Sequence, residues 1–413
     1  MSPRFSGWFL VIRRNCIKVG AGIALLFAVL AVLVIVDPGT YNVYATAGTG
    51  AASFTINILG PIAAACGAYE AHRLQCARLL LTVRVRSRAV VVLWQLGPIV
   101  VGMFLVFLIC TQLVGVLSDL GFYIPDVAVA LSALAGLVIY TGIGAILGAV
   151  LVPAIAVPAA LVGVYLWLAF SPTSELLWLR HLTGVSFDCC VNEFELDGAV
   201  LAATVLLAAA TVFAACTVVG GRFAPKGLVS AVVAVIAALL VAVQLVDHLG
   251  PAPVAPRSTA MVCAGEHPRV CLWPEHAAEI DATVLMATAI SYEFKEAGIQ
   301  LPATASEAIA DPETTWPFAV HPLDMSESAL RRRLVMGLIP ADTCAGVRGL
   351  TTPDITLMAW VMLKAGMSRE DLDSNPMVDQ LVADQLKIID AMSPTERGDW
   401  WRTARSAPQT CVQ

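Results

Sequence analysis

A chain of 413 residues that is 58% hydrophobic and only 14% charged, with a mean hydropathy of +0.79, lies outside the range of soluble globular proteins and inside that of membrane proteins. Its net charge of -6 averages over separate basic and acidic stretches. No basic patch with interleaved aromatics accompanies it, which excludes nucleic acid as a partner.

Arg4, Arg13, Arg14 and Lys18 precede an apolar run at 19–36. That order also suits a signal peptide, but the run is long enough to cross a bilayer at about 1.5 Å per residue. The sequence after Asp37 offers no convincing small-residue cleavage site before the next span begins, so a first membrane span is expected. A second follows at 51–69, interrupted by Pro61, which a membrane helix tolerates when neighbours satisfy the freed carbonyl.

Between this span and the next, at 89–117, lie Arg73, Arg78, Arg84, Arg86 and Arg88. Such a cluster between apolar runs marks a cytoplasmic loop. Leu74, Ala77, Leu80 and Leu81 recur at helical spacing while Glu70, Arg73 and Arg78 fall toward the polar side, which predicts a short amphipathic helix along the inner membrane surface. An ordinary basic loop that only orients the spans accounts for the arginines as well.

Residues 118–126 are acidic and lack Lys and Arg, as an outer loop should. The apolar stretch 127–170 is too long for one crossing of about 20 residues and divides into spans at 127–150 and 151–170, with Pro153 and Pro158 marking a turn and a kink. An outer loop at 171–197 carries Glu175, Asp188, Glu193, Glu195 and Asp197 against Arg180 alone. Its Leu176, Leu177, Trp178 and Leu179 suit the headgroup level. Spans at 198–220 and 227–246 flank an inner turn with Arg222 and Lys226. Eleven Lys and Arg residues in the inner loops against one outside orient the chain with its N-terminus in the cytoplasm.

The linker Pro251 to Ser258 opens a stretch of mixed polarity long enough for its own core. The expected architecture is therefore all-α: a polytopic membrane bundle of about seven spans at 1–249, followed by a mainly helical extracytoplasmic domain at 250–413. Helices are predicted there at 277–297, 326–336, 353–365, 377–392 and 394–406, with Ser326, Thr352 and Ser393 as N-cap candidates. Trp400 and Trp401 read as core rather than as a binding cage.

The outer domain begins with Cys263-x3-His267-x3-Cys271-x4-His276. Thiolates and imidazoles are good zinc ligands, but this spacing matches no common zinc pattern, and outside the cell disulfides persist. The expectation is a disulfide between Cys263 and Cys271, a second between Cys344 and Cys411, and no metal or other cofactor. Adjacent Cys189 and Cys190 are expected to pair elsewhere or stay free, because the peptide between them is strained when they bond. Cys66, Cys110 and Cys216 read as small buried hydrophobes, with Cys16 and Cys76 on the reducing side. Glu275 and His276 offer an acid and a base, but neither an HExxH helix nor a GxSxG elbow is present. No catalytic residue is assigned, and no enzyme activity is expected.

The spans lack ionisable side chains at their centres, which argues against an ion-coupled carrier. Glu70, Asp247 and His248 read as solvated span ends. No GxxxxGK[ST] loop is present, so any ATP must be hydrolysed by another polypeptide.

The order of apolar span, Glu70, a centre at Leu79, Leu80 and Leu81, the basic turn Arg84 to Arg88 and a following span resembles the segment between the second and third spans of permeases of the type-two ABC exporter family. The likeness extends over roughly residues 1–221, and the segment around Cys263 to His276 resembles outer domains of actinobacterial membrane proteins associated with ABC transporters. The resemblance implies a bacterial inner-membrane permease subunit, homo- or hetero-oligomeric, whose helix with Glu70, Arg73, Arg78 and Leu80 couples to a separate ATP-binding subunit, membrane lipid being its other partner. Permeases of that family end after six spans, so the seventh span and outer domain are additions. The alternative is a non-transporting scaffold or sensor whose outer domain binds a peptide or envelope partner.

Overall fold

The computed structural model describes residues 15–35, 44–76, 87–118, 120–186, 189–190, 193–219, 225–308, 314–320, 325–339, 352–367 and 380–406. Contacts divide the chain into two units, Met1–Arg257 and Ser258–Gln413.

In the first unit the apolar runs become α1 (Ile17–Ile35), α2 (Ala45–Ala52), α3 (Ile56–Cys76), α4 (Arg88–Leu117), α5 (Val127–Val150), α6 (Pro153–Phe170), α7 (Leu177–His181), α8 (Gly198–Val218) and α9 (Pro225–Val246). Seven helical stretches among the described residues are long and apolar enough to cross a membrane, and the chain is a multi-pass membrane protein. The expected division at Leu151 is present: Leu151 caps the end of α5, and Pro153 stands in the first turn of α6, where its missing N–H costs nothing.

The second span is longer than the expected 51–69. It starts at Ala45, passes through a 3-10 turn at Ser53–Thr55 and continues to Cys76, 32 residues in all. No Gly or Pro follows Gly67 in α3, so nothing stops the helix at Tyr69. This span and α5 form the centre, with 72% and 67% of their most apolar windows buried, whereas α1, the sixth helix and α9 bury 28%, 28% and 22% and expose Val19, Phe27, Val34, Tyr165 and Val233 at the periphery.

The α3–α5 contact is the most extensive in the unit. Small residues make it possible. A Cβ on Gly144 would overlap the carbonyl of Ala64, one on Gly148 that of Ala68, and one on Gly67 that of Thr141. The two backbones therefore touch, which is how membrane helices gain packing where lipid offers no hydrophobic drive.

At the end of the bundle with the acidic loops, hydrogen bonds hold α2 against the start of α5. Thr46 Oγ1 donates to Asp126 Oδ2 at 3.1 Å, and the Asp126 amide donates to Thr49 Oγ1 at 3.0 Å. The other oxygen of Asp126 accepts from the Val129 amide at 3.0 Å and caps α5. Strand β1 (Phe194–Leu196) pairs antiparallel with β2 (Val254–Pro256), joining the loop before α8 to the segment after α9.

The second unit contains α10 (Ile280–Glu296), α11 (Glu327–Met336), α12 (Thr352–Lys364), α13 (Gln380–Ala391) and α14 (Pro394–Ser406). Ser326 caps α11, and Ser393 forms a reciprocal capping box with Glu396 before α14. The all-α expectation needs correction, because a four-stranded sheet is also present in the order β3 (Val262–Ala264), β4 (Arg269–Leu272), β5 (Thr304–Ser306) and β6 (Thr315–Pro317). Its first pair is antiparallel and the others parallel, with α10 as the crossover from β4 to β5. Strands of three or four residues are too short to display the alternation by which a strand is read. The core of this unit gathers Phe294, Trp316, Trp360 and Trp401. Trp316 Nε1 donates to the Leu334 carbonyl at 2.7 Å, anchoring α11 to the sheet.

Candidate functional site

At the end of the bundle facing the arginine-rich segment, the last two turns of α3 carry Glu70 and Arg73. Glu70 was expected on a polar, solvated face, and this is corrected: its side chain is fully buried. A carboxylate removed from water needs donors, and three helices supply them. One oxygen accepts the Cys16 amide at 2.7 Å, where α1 begins. The other accepts from Gln95 Nε2 of α4 at 2.5 Å. Arg73, one turn further along α3, reaches both oxygens at 2.9 Å with its Nη1 while staying 38% exposed.

Around this carboxylate, Asn15 continues the network. Its Nδ2 donates to the Gln95 carbonyl at 2.9 Å and its Oδ1 accepts the Ile17 amide at 3.0 Å, capping α1. Glu70 thus joins the starts of α1 and α4 to the end of α3 at the point where the chain enters the arginine-rich segment. Arg78 and Leu80 lie outside the described residues, as do Cys344 and Cys411. Asn15 was not singled out in the sequence, and neither Cys16, read only as a thiol on the reducing side, nor Gln95 was linked to Glu70. The signal available was Glu70 itself, a carboxylate adjoining an apolar run, which needs buried donors if the helix continues past it.

In the second unit Cys263 and Cys271 are directly opposed in the β3–β4 register, and their sulfurs sit at bonding distance, so the pair is placed to form a disulfide. Cys189 and Cys190 in the first unit are set against each other, whereas each was expected to pair elsewhere or stay free, and Cys190 takes a positive φ of 75°.

The four residues of the Cys263 to His276 motif do not converge. His267 is exposed, whereas His276 is buried and turned toward Glu307. His276 Nδ1 donates to Glu307 Oε1 at 2.8 Å, and the Glu307 carboxylate also accepts the Trp273 amide at 2.8 Å and the Val320 amide at 3.0 Å. The carboxylate beside His276 is therefore Glu307, and the neighbouring Glu275 is exposed. Glu307 fixes the orientation and tautomer of the imidazole and joins the segment before α10 to the segment that follows β6. Among the described residues no group of three or more His, Cys, Asp or Glu side chains is arranged to hold a metal ion.

Residues 270–411 match a family model described as a domain of unknown function (DUF7224). No curated protein and no solved structure matches the chain.

Proposed function

We propose that this chain is the membrane subunit of a transporter driven by ATP hydrolysis on a separate polypeptide, with the arginine-rich segment after α3 as the surface that the ATPase touches. The observation that carries the proposal is the buried Glu70, tied to α1 through the Cys16 amide and to α4 through Gln95. A displacement applied just beyond Cys76 acts on the end of a helix that is bolted to two others there and packed backbone to backbone against α5 at Ala64, Gly67 and Ala68. Such a helix transmits motion as a rigid lever, because packed cores shift between discrete arrangements and do not deform smoothly. The charge bias of the loops puts the arginine-rich end in the cytoplasm and Ser258–Gln413 outside, where the Cys263–Cys271 pair is oxidised and a Cys344–Cys411 pair completes the staples.

The test is cross-linking from Arg78→Cys and Leu80→Cys in the native host, followed by purification. Capture of an ATP-hydrolysing subunit at these positions supports the proposal. Full retention of ATPase association when residues 77–86 are replaced by an unrelated basic linker overturns it.

A scaffold or sensor role is the alternative, favoured by one observation: the second unit has a core of its own, and the matched domain lies within it from 270 to 411. A complex that purifies without any ATPase, and whose peptide or envelope partner is lost when residues 258–413 are deleted, selects this role.

A further inference from the structure

Cys16 and Cys66 stand 54 and 4 residues from Glu70 respectively, yet the folded chain brings both thiols to its side. Their sulfurs are 3.0 Å apart, about 1 Å beyond the S–S bond length of about 2.05 Å. Two features hold them there. The Cys16 amide donates to Glu70, which fixes the start of α1 against the last turns of α3. Gly20, one turn into α1, has no Cβ, and one placed there would come within 2.7 Å of Cys66 Sγ, so the glycine leaves the room that this sulfur occupies. Cys66 is buried and Cys16 is half-buried, giving the pair one sulfur within reach of a small reagent and one shielded. Among the described residues the other free thiols, Cys76, Cys110 and Cys216, are not set against a second sulfur.

We infer that Cys16 and Cys66 form an oxidisable dithiol that closes into a disulfide on exposure to a hydroperoxide and staples α1 to α3 beside Glu70. The accessible Cys16 sulfur attacks the peroxide, whose O–O bond breaks. Cys16 becomes a sulfenic acid, and the other oxygen leaves as water or an alcohol with the thiol proton. Cys66 then attacks the Cys16 sulfur, the S–S bond forms, and the sulfenic hydroxyl departs with the Cys66 proton as water. Two electrons pass from the two thiols to one peroxide, and no other reactant is required. α1 is a peripheral helix, so a covalent link at its start removes freedom that the Glu70 hydrogen bond alone leaves. The bond itself does not depend on the transporter proposal. Only its effect on coupling does.

The experiment uses the full chain in detergent or vesicles, treated with hydrogen peroxide, blocked with an alkylating reagent, digested and mapped by mass spectrometry. The expected result is a linked Cys16–Cys66 peptide, with loss of alkylation at both positions restored by dithiothreitol, and an unfolding temperature raised in the oxidised protein. In Cys16→Ser, which changes the half-buried partner and leaves Cys66 in place, the link and the temperature shift disappear together. A Cys16 that overoxidises to the sulfinic acid while Cys66 remains alkylatable overturns the inference, as does a link from either residue to Cys76. If the link forms without changing the activity of a copurifying ATPase, the dithiol stands and its role in coupling falls.

Discussion

Gly144 of α5 lies against the carbonyl of Ala64 in α3, so close that a Cβ on the glycine would overlap that oxygen. The same relationship recurs one turn on between Gly148 and Ala68. Since the atoms in the way are backbone, no rotamer change relieves the overlap, and Gly144→Val must push the two helices apart. A loss of about 1–3 kcal/mol or more is expected, seen as a lower unfolding temperature in detergent. Gly163 of the sixth helix is the control: a Cβ there meets nothing within 4 Å. Gly163→Ala should leave stability unchanged or raise it by up to about 1 kcal/mol through helix propensity. Equal losses from both variants would refute the close-packed seam.

Glu70→Ala removes the acceptor shared by the Cys16 amide, Gln95 and Arg73. Two of these donors remain near the interior with nothing to replace the carboxylate, while the half-exposed Arg73 can turn to water. The expected cost is about 1–3 kcal/mol, discounted from a fully buried ion pair because of that exposure. Glu70→Gln keeps the shape and an acceptor oxygen and should lose less. A thermal melt of each variant measures the difference, and an alanine variant as stable as the parent would show that the three helices are held by other contacts.

The spans were legible because a run of about 20 apolar residues has few alternatives to a membrane helix, and both the break at Leu151 and the cap at Ser393 carry local chemistry. The seam also left a mark, small residues four apart at Ala64 and Ala68 and at Gly144 and Gly148, although nothing local says which helix faces which. Glu70 was visible, but its burial was not: its partners come from the start of α1 and from α4, and only the folded bundle brings them together. His276 was singled out next to Glu275, whereas its buried partner, Glu307, is 31 positions away. The sheet was hidden by strand length, because three residues display neither a period nor a face.

Trp360 of α12 is buried and packs edge-on to Phe294, with ring centroids 5.9 Å apart, and to Trp400 at 5.3 Å. Trp360→Ala opens a cavity among rings from three helices that cannot collapse without moving all of them. The expected cost is about 3–5 kcal/mol, enough to unfold the second unit near physiological temperature. Tyr292→Ala, at a position 65% exposed on α10, should change stability by no more than about 0.5 kcal/mol. Limited proteolysis of the full chain distinguishes them: cleavage after residue 258 should increase in the tryptophan variant alone.

His181, at the end of α7, is buried and donates from Nε2 to the Gly250 carbonyl at 3.0 Å, linking α7 to the segment that follows α9. Burial lowers its pKa below the ordinary histidine value, with Arg180 acting in the same direction and the Gly250 carbonyl and Asp197 opposing. The sign follows from proton counting. Between the lowered value in the folded chain and the ordinary value in the unfolded one, the unfolded chain binds more protons, so stability falls as the pH drops through that window. The loss therefore starts near the ordinary histidine pKa of about 6.5 and grows on further acidification until the folded histidine also titrates. His181→Gln can still donate to Gly250 but does not titrate. Unfolding temperatures measured from about pH 7.5 down to about pH 5.5, either side of the ordinary histidine value, should fall more steeply in the parent than in the variant. Parallel slopes would mean that other groups carry the acid sensitivity and that the His181 to Gly250 link is insensitive to pH.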